Sequence, residues 1–183
     1  MSAPATRATK ADLYNTPGKA ELIGGRIVHL MATGRQPNRI AFRIARRLDD
    51  YAAATGIGEA YTDNMGFTVP ELSSGRESFS PDAAYYNGPF PADEMKFIEG
   101  PPTFAAEVRS ESDYGDAAEA DMAAKRDDYF LAGTIVVWDV DSLAETIRCY
   151  RAGALVNEFH RGDMADAEPA VPGWRMSVDE VFG

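Results

Sequence analysis

An aspartate, a glutamate and a lysine stand among apolar neighbours in the middle of this chain. Asp82 follows Pro81 and opens the run Ala83-Ala84-Tyr85-Tyr86, Glu107 ends Thr103-Phe104-Ala105-Ala106, and Lys125 lies in a segment that reads as helix. Both carboxylates fall in stretches whose composition predicts short buried strands. A buried carboxylate without a partner is costly. Two of them about 4 Å apart repel by roughly 1–4 kcal/mol at effective dielectric constants of about 80 to 20. Such a pair calls for a proton or a cation between its members. Hard oxygen ligands favour Mg²⁺ or Mn²⁺, which lower the pKa of a bound water and neutralise charge growing on a phosphoryl group. The bland alternative has Asp82 capping a turn, Glu107 at a half-exposed strand end, and Lys125 paired with Asp121 or Asp128.

The elements that must position these groups follow from periodicity. Residues 116–131 form a helix whose stripe Ala118, Met122, Lys125 and Tyr129 faces inward, with Asp116, Glu119, Arg126 and Asp127 on the other side. Residues 79–86 and 103–109 are the strands carrying Asp82 and Glu107, and the loop 87–102 joins them. Ahead of these come a loose arm or poorly ordered helix over 1–15 and a hairpin over 21–31 turning at Gly24-Gly25. A helix over about 37–54 follows, then an extended segment over 59–69 and a polar turn over 72–77. Gly133 stops the second long helix, and 134–140 is a strand covered on both faces. A hairpin over 145–151 and 154–160, a loop over 162–173 and a closing segment over 174–182 complete one expected domain, 1–183.

Composition narrows the classes. With one cysteine, Cys149, and two histidines there is no intrachain disulfide and no Cys/His zinc site. No apolar run approaches the roughly 20 residues of a membrane span, and residues 1–12 lack the apolar core of a signal peptide. A soluble cytoplasmic protein is expected. The net charge of −11 opposes general affinity for nucleic acid. The basic cluster Arg39, Arg43, Arg46 and Arg47 reads as a solvated helix face. Its alternative is a phosphate track through Arg39, Arg43 and Arg46. No Gly-x-Ser-x-Gly motif marks another hydrolase.

Taken together, the order Glu21-Leu22-Ile23-Gly24-Gly25-Arg26-Ile27-Val28, Pro81-Asp82, Glu107-x-Arg109, Lys125 and Ile135-Val136-Val137-Trp138-Asp139-Val140 resembles the Uma2 family (DUF820) of the PD-(D/E)XK nuclease superfamily. The resemblance implies an α/β restriction endonuclease-like fold, a mixed central β-sheet flanked by helices with additional antiparallel strands. It also implies a Mg²⁺- or Mn²⁺-dependent endonuclease hydrolysing phosphodiester bonds in nucleic acid, DNA being the expected substrate. By this resemblance Asp82 and Glu107 are the metal ligands with the Val108 carbonyl as a third oxygen. Lys125 supplies the lysine that the superfamily normally carries at the position of Arg109, and Arg109 is left to hold a phosphate. Glu21 supports the metal through a water, or is a solvated strand end. Ser110 lies in a turn, Ser110-Glu111-Ser112-Asp113, that lacks the family's proline, and Asn38 stands where many relatives have histidine. A homodimer is expected from the resemblance and from the apolar, proline-rich segment 90–104. The alternative function is a catalytically silent fold serving as a self-associating or protein-binding module, favoured by the acidity, by Arg109 and by Asn38.

Overall fold

The computed structural model describes residues 6–183. Thr9 caps a short helix, α1 (Lys10–Tyr14), and Asp12 answers at the Thr9 amide while Leu13 is buried. Residues 10–14 are therefore anchored rather than loose. The rest of that expectation, on residues 1–5, lies outside the described residues. Strands β1 (Ala20–Ile23) and β2 (Arg26–His29) form the hairpin, with Gly24 and Gly25 at φ 59° and 67° as a two-residue turn requires. Helix α2 (Arg35–Thr55) buries Ile40, Ile44 and Leu48 and ends at left-handed Gly56.

Two expected strands are each broken in two. The 59–69 segment divides into β3 (Glu59–Thr62) and β4 (Phe67–Thr68) around Asn64 at φ 77°. The 79–86 segment divides into β5 (Ser78–Phe79) and β6 (Ala83–Tyr86), because Pro81 has no N–H to offer a ladder. Asp82 sits in that break rather than within a strand. The 87–102 loop contains β7 (Ile98–Glu99), which completes a three-stranded sheet in the order β5-β4-β7. Next come β8 (Phe104–Val108), α3 (Asp116–Ala132), β9 (Val136–Asp141), β10 (Thr146–Arg151) and β11 (Ala154–Phe159). The closing region is not a plain loop: β12 (Met164–Asp166) pairs with β13 (Arg175–Ser177) before α4 (Val178–Phe182).

The central sheet has the order β11-β10-β9-β8-β6-β3, parallel between β8 and β9 and antiparallel elsewhere. This is the mixed sheet with flanking helices anticipated above. Alternation along the strands gives it two interiors. Phe104, Ala106, Trp138, Ile147 and Tyr85 face α2, and Trp138 meets Trp174 at 5.3 Å between ring centroids. Ala84, Tyr86, Ala105 and Val137 face the other way and pack with Tyr129 of α3 and Phe79. No helix among the described residues is long and apolar enough to cross a membrane.

Candidate active site

Register brings the two acids together. Strands β6 and β8 pair Ala84 with Ala105 and Ala83 with Ala106. One step further, the same count sets Asp82 opposite Glu107, on the face that α3 covers. Beyond Pro81 the ladder is closed by a side chain: the Val108 amide donates to Asp82 Oδ2 at 2.8 Å. A strand residue's N–H and C=O point to the same side, so the Val108 carbonyl is turned toward Asp82 as well.

Helix α3 supplies the cover. Lys125 Nζ lies 2.9 Å from the Glu107 carboxylate and 3.4 Å from Glu21 Oε1. Tyr129, one turn further along, donates its hydroxyl to Glu107 Oε1 at 2.5 Å and stacks on Phe79. Lys125 therefore does not pair with Asp121 or Asp128. Asp128 is buried and accepts from Arg76 Nε at 2.8 Å.

The first hairpin reaches the same spot. The Leu22 amide donates to Ser78 Oγ, and the Glu77 amide to the Leu22 carbonyl, which docks β1 beside β5. Glu21 is thereby only 2% exposed, not a solvated strand end. It accepts the Ser80 amide at 3.0 Å and pairs with Arg76. Lys19, two residues earlier, places Nζ 3.1 Å from Asp82 Oδ1 and also pairs with Asp63. Lys19, Arg76 and the Tyr129 hydroxyl escaped the sequence reading. Two of the three carry a signal: Lys19 shares a face with Glu21 on an extended segment, and Tyr129 stands four residues after Lys125 on a helix. Arg76, in a polar turn, gave none.

The electrostatics favour a cation. Burial raises the Glu107 carboxyl; Lys125 lowers it, Asp82 raises it again, and even with the Tyr129 hydroxyl bond the balance stays above the usual carboxylate range. Burial would raise Glu21 too, but Lys125, Arg76 and the Ser80 amide hold it below that range. Around the pair, Glu21, Asp82, Glu107, Asp63 and Asp128 meet Lys19, Lys125 and Arg76. Two negative charges are left over, the charge of one divalent ion. Among the described residues no three His, Cys, Asp or Glu side chains are grouped as a ready-made metal cluster. The oxygens present, two carboxylates and the Val108 carbonyl, are of the hard type that Mg²⁺ would take, with waters needed to complete its shell.

The depressed Glu21 carboxyl has a pH signature. Its ion pairing contributes stability that is present above the ordinary glutamate pKa of about 4.3 and lost as pH falls through the lower folded value. Glu21→Gln should flatten this acid limb in denaturation curves taken from about pH 6 downward, and should lower the melting temperature at neutral pH.

Other expected contacts are engaged elsewhere. Arg109 is 2% exposed and grips Asp139 with Nε and Nη2, both at 2.7 Å, while also pairing with Glu119. Four of its five N–H donors are taken, which suits a strut between β8 and β9 rather than a free phosphate contact. Arg126, expected on the outer side, turns in to Asp139 at 3.1 Å. Ser110 closes its own turn by bonding Asp113 through amide and hydroxyl. Of the basic cluster, Arg43 donates to the Val181 carbonyl and Arg46 approaches Glu180, which ties α2 to α4, and Arg39 lies over the Phe42 ring. Asn38 does reach the site, lining a cleft with Thr33, Pro37, Ala41, Asp63 and Asp82.

A sequence profile described as "Uma2: Putative restriction endonuclease" matches residues 9–179. The fold is also similar to that of a crystal structure from Anabaena variabilis described as "a putative nuclease belonging to DUF820". The TM-score is 0.72 and the identity 16%, over 94% of this chain and 96% of the other. Comparison with curated proteins gives no match.

Proposed function

Because this chain belongs to the Uma2 family, we propose that it is a divalent-metal-dependent endonuclease that hydrolyses phosphodiester bonds in nucleic acid, with DNA the first substrate to test. The observation that carries this reading is the opposition of Asp82 and Glu107 beneath Lys125, with the Glu107 carboxyl raised by burial and by its neighbour. The description of the structural neighbour as a putative nuclease agrees with it. A Mg²⁺ or Mn²⁺ ion bound there would supply Lewis-acid stabilisation of the phosphoryl oxygens and an activated water. The chain's own part is then positional. Asp82 and Glu107 would hold the ion, Tyr129 fixes one Glu107 oxygen, and Lys125 faces the charge that grows on the phosphoryl and leaving oxygens as a water oxygen bonds to phosphorus and the P–O bond to the leaving strand breaks. Glu21 keeps Lys125 protonated and aimed. The protein would work in the cytoplasm, as a homodimer. In the segment 90–104 Phe90 and Met95 are the exposed large apolar side chains, whereas Ile98 and Phe104 belong to the core.

A second reading, the catalytically silent module, is favoured by one feature: both carboxylates of the pair already touch an amine, Lys19 on Asp82 and Lys125 on Glu107. Calorimetric titration with Mn²⁺, combined with cleavage of plasmid DNA and of labelled RNA, separates the two. Saturable Mn²⁺ binding with chelator-sensitive cleavage supports the nuclease. Binding without cleavage of either polymer moves the protein to the silent class, and no binding by wild type or by a variant freed of the Lys19 amine removes the metal site.

A further inference from the structure

We infer that Lys19 is a latch on this site: its amine holds the cation seat on Asp82 until a divalent ion displaces it, and then serves as a second phosphate-holding cation. The inference rests on the metal-dependent reading above. Its starting point is that both Asp82 oxygens are occupied. Oδ2 is committed to the Val108 amide, a backbone bond that continues the β6–β8 ladder, whereas Oδ1 carries only the Lys19 ammonium. An ion that takes Oδ1 leaves the ladder bond intact and meets Lys19 there. A divalent ion and an ammonium on one oxygen repel strongly, so one of them leaves.

Lys19 is built to be the one that moves. It lies just before β1, where its carbonyl accepts the Leu30 amide and fixes the backbone, while the side chain ends in an unbranched stem with three rotatable donors. Its second partner, Asp63, is on the exposed turn after β3 and lines the cleft together with Asp82, Pro37 and Asn38. Released from Asp82, the amine stays tethered by Asp63 at the mouth of that cleft. Lys125 meets the same ion from Glu107, but its second anchor, Glu21, is buried, so it gives up a Glu107 oxygen without leaving the site. Arg109, locked on Asp139, cannot place a second positive charge beside the scissile phosphate. Lys19 is the amine nearest that role, and an acidic chain that must handle nucleic acid gains from a cation exposed only when the ion is bound.

The test is Mn²⁺ calorimetry on wild type, Lys19→Met and Lys19→Arg, with cleavage measured at saturating Mn²⁺ and melting curves recorded for each. A latch predicts that Lys19→Met binds Mn²⁺ about tenfold more tightly, because a competing charge has gone. At saturation the same variant should cleave about 10²-fold more slowly, with Lys19→Arg recovering part of the rate. A merely structural lysine gives the opposite on the first count: its loss loosens Asp82 and weakens Mn²⁺ binding. Unchanged or weaker affinity in Lys19→Met, or undiminished cleavage at saturation, overturns the latch while leaving the metal site standing. If neither wild type nor Lys19→Met binds Mn²⁺, the metal reading itself is lost and the latch with it. Binding confined to Lys19→Met upholds the competition.

Discussion

Glu107→Gln is expected to reduce divalent-dependent cleavage by roughly 10³-fold, equivalent to about 4 kcal/mol of transition-state stabilisation, while melting no lower than wild type. The two halves of this prediction have separate causes. The glutamine keeps an oxygen for Lys125 and the Tyr129 hydroxyl but loses the negative charge that an ion needs. On the stability side, the Glu107 carboxyl is raised in the fold. Its contribution is fully present below the unfolded pKa and is lost as pH rises through the folded one. At neutral pH the charged, ion-free carboxylate therefore burdens the fold, and a neutral isostere removes the burden. Asp82→Asn should behave similarly for cleavage, since one amide oxygen can still accept the Val108 N–H. Asp82→Ala is the poorer test, because it orphans that amide at a cost of about 1–3 kcal/mol. Scanning fluorimetry with Mn²⁺ gives an independent readout: wild type should be stabilised in proportion to the logarithm of ion concentration, and both isosteric variants should lose that rise. Wild-type cleavage rates in either isostere would end the assignment of the pair.

Much of this site was legible because its parts lie on elements with strong periodic signals. The α3 stripe put Lys125 and Tyr129 on one face, the Gly24-Gly25 turn located the hairpin bearing Glu21, and buried composition picked out β8 and β9. What stayed hidden depends on tertiary pairing. A proline between two short apolar runs does not reveal that they belong to different sheets, so composition alone puts Asp82 in a strand and not in the break. Arg76 had no signal either, because the face it serves exists only once β1 docks on β5 and α3 lies above both. Arg126 was assigned outward by helical angle alone. A second acid under the helix, Asp139, draws it in, and the mean direction of a stripe cannot report that. Charged residues near a sheet are poorly placed by hydrophobic pattern, since the pattern records what avoids water and not what pairs beneath it.

Arg109 provides the sharpest case, because the resemblance sets it in the slot where the superfamily carries its lysine. If that slot were still catalytic here, Arg109→Lys should leave activity intact or raise it. The geometry predicts otherwise. Arg109 and Asp139 are 2% and 1% exposed, and two guanidinium nitrogens meet the two carboxylate oxygens side by side, an arrangement an ammonium cannot reproduce. Arg109→Ala leaves Asp139 buried with only the longer Arg126 contact, and should lower stability by about 3–5 kcal/mol in chemical denaturation. Arg109→Lys should lose a substantial part of that and gain no cleavage. Removing both charges in Arg109→Met/Asp139→Leu should recover much of the single-variant loss, because a buried pair replaced by apolar groups of similar volume is often neutral. An Arg109→Ala protein that melts like wild type but binds nucleic acid more weakly would return Arg109 to the phosphate site. The expected order of stability, with the double variant above the alanine single, instead makes the strand that carries Glu107 depend on a buried ion pair two residues beyond it. Position 109 then serves to hold the strand of Glu107 in place, and under the proposed function the amine comes from Lys125 on α3.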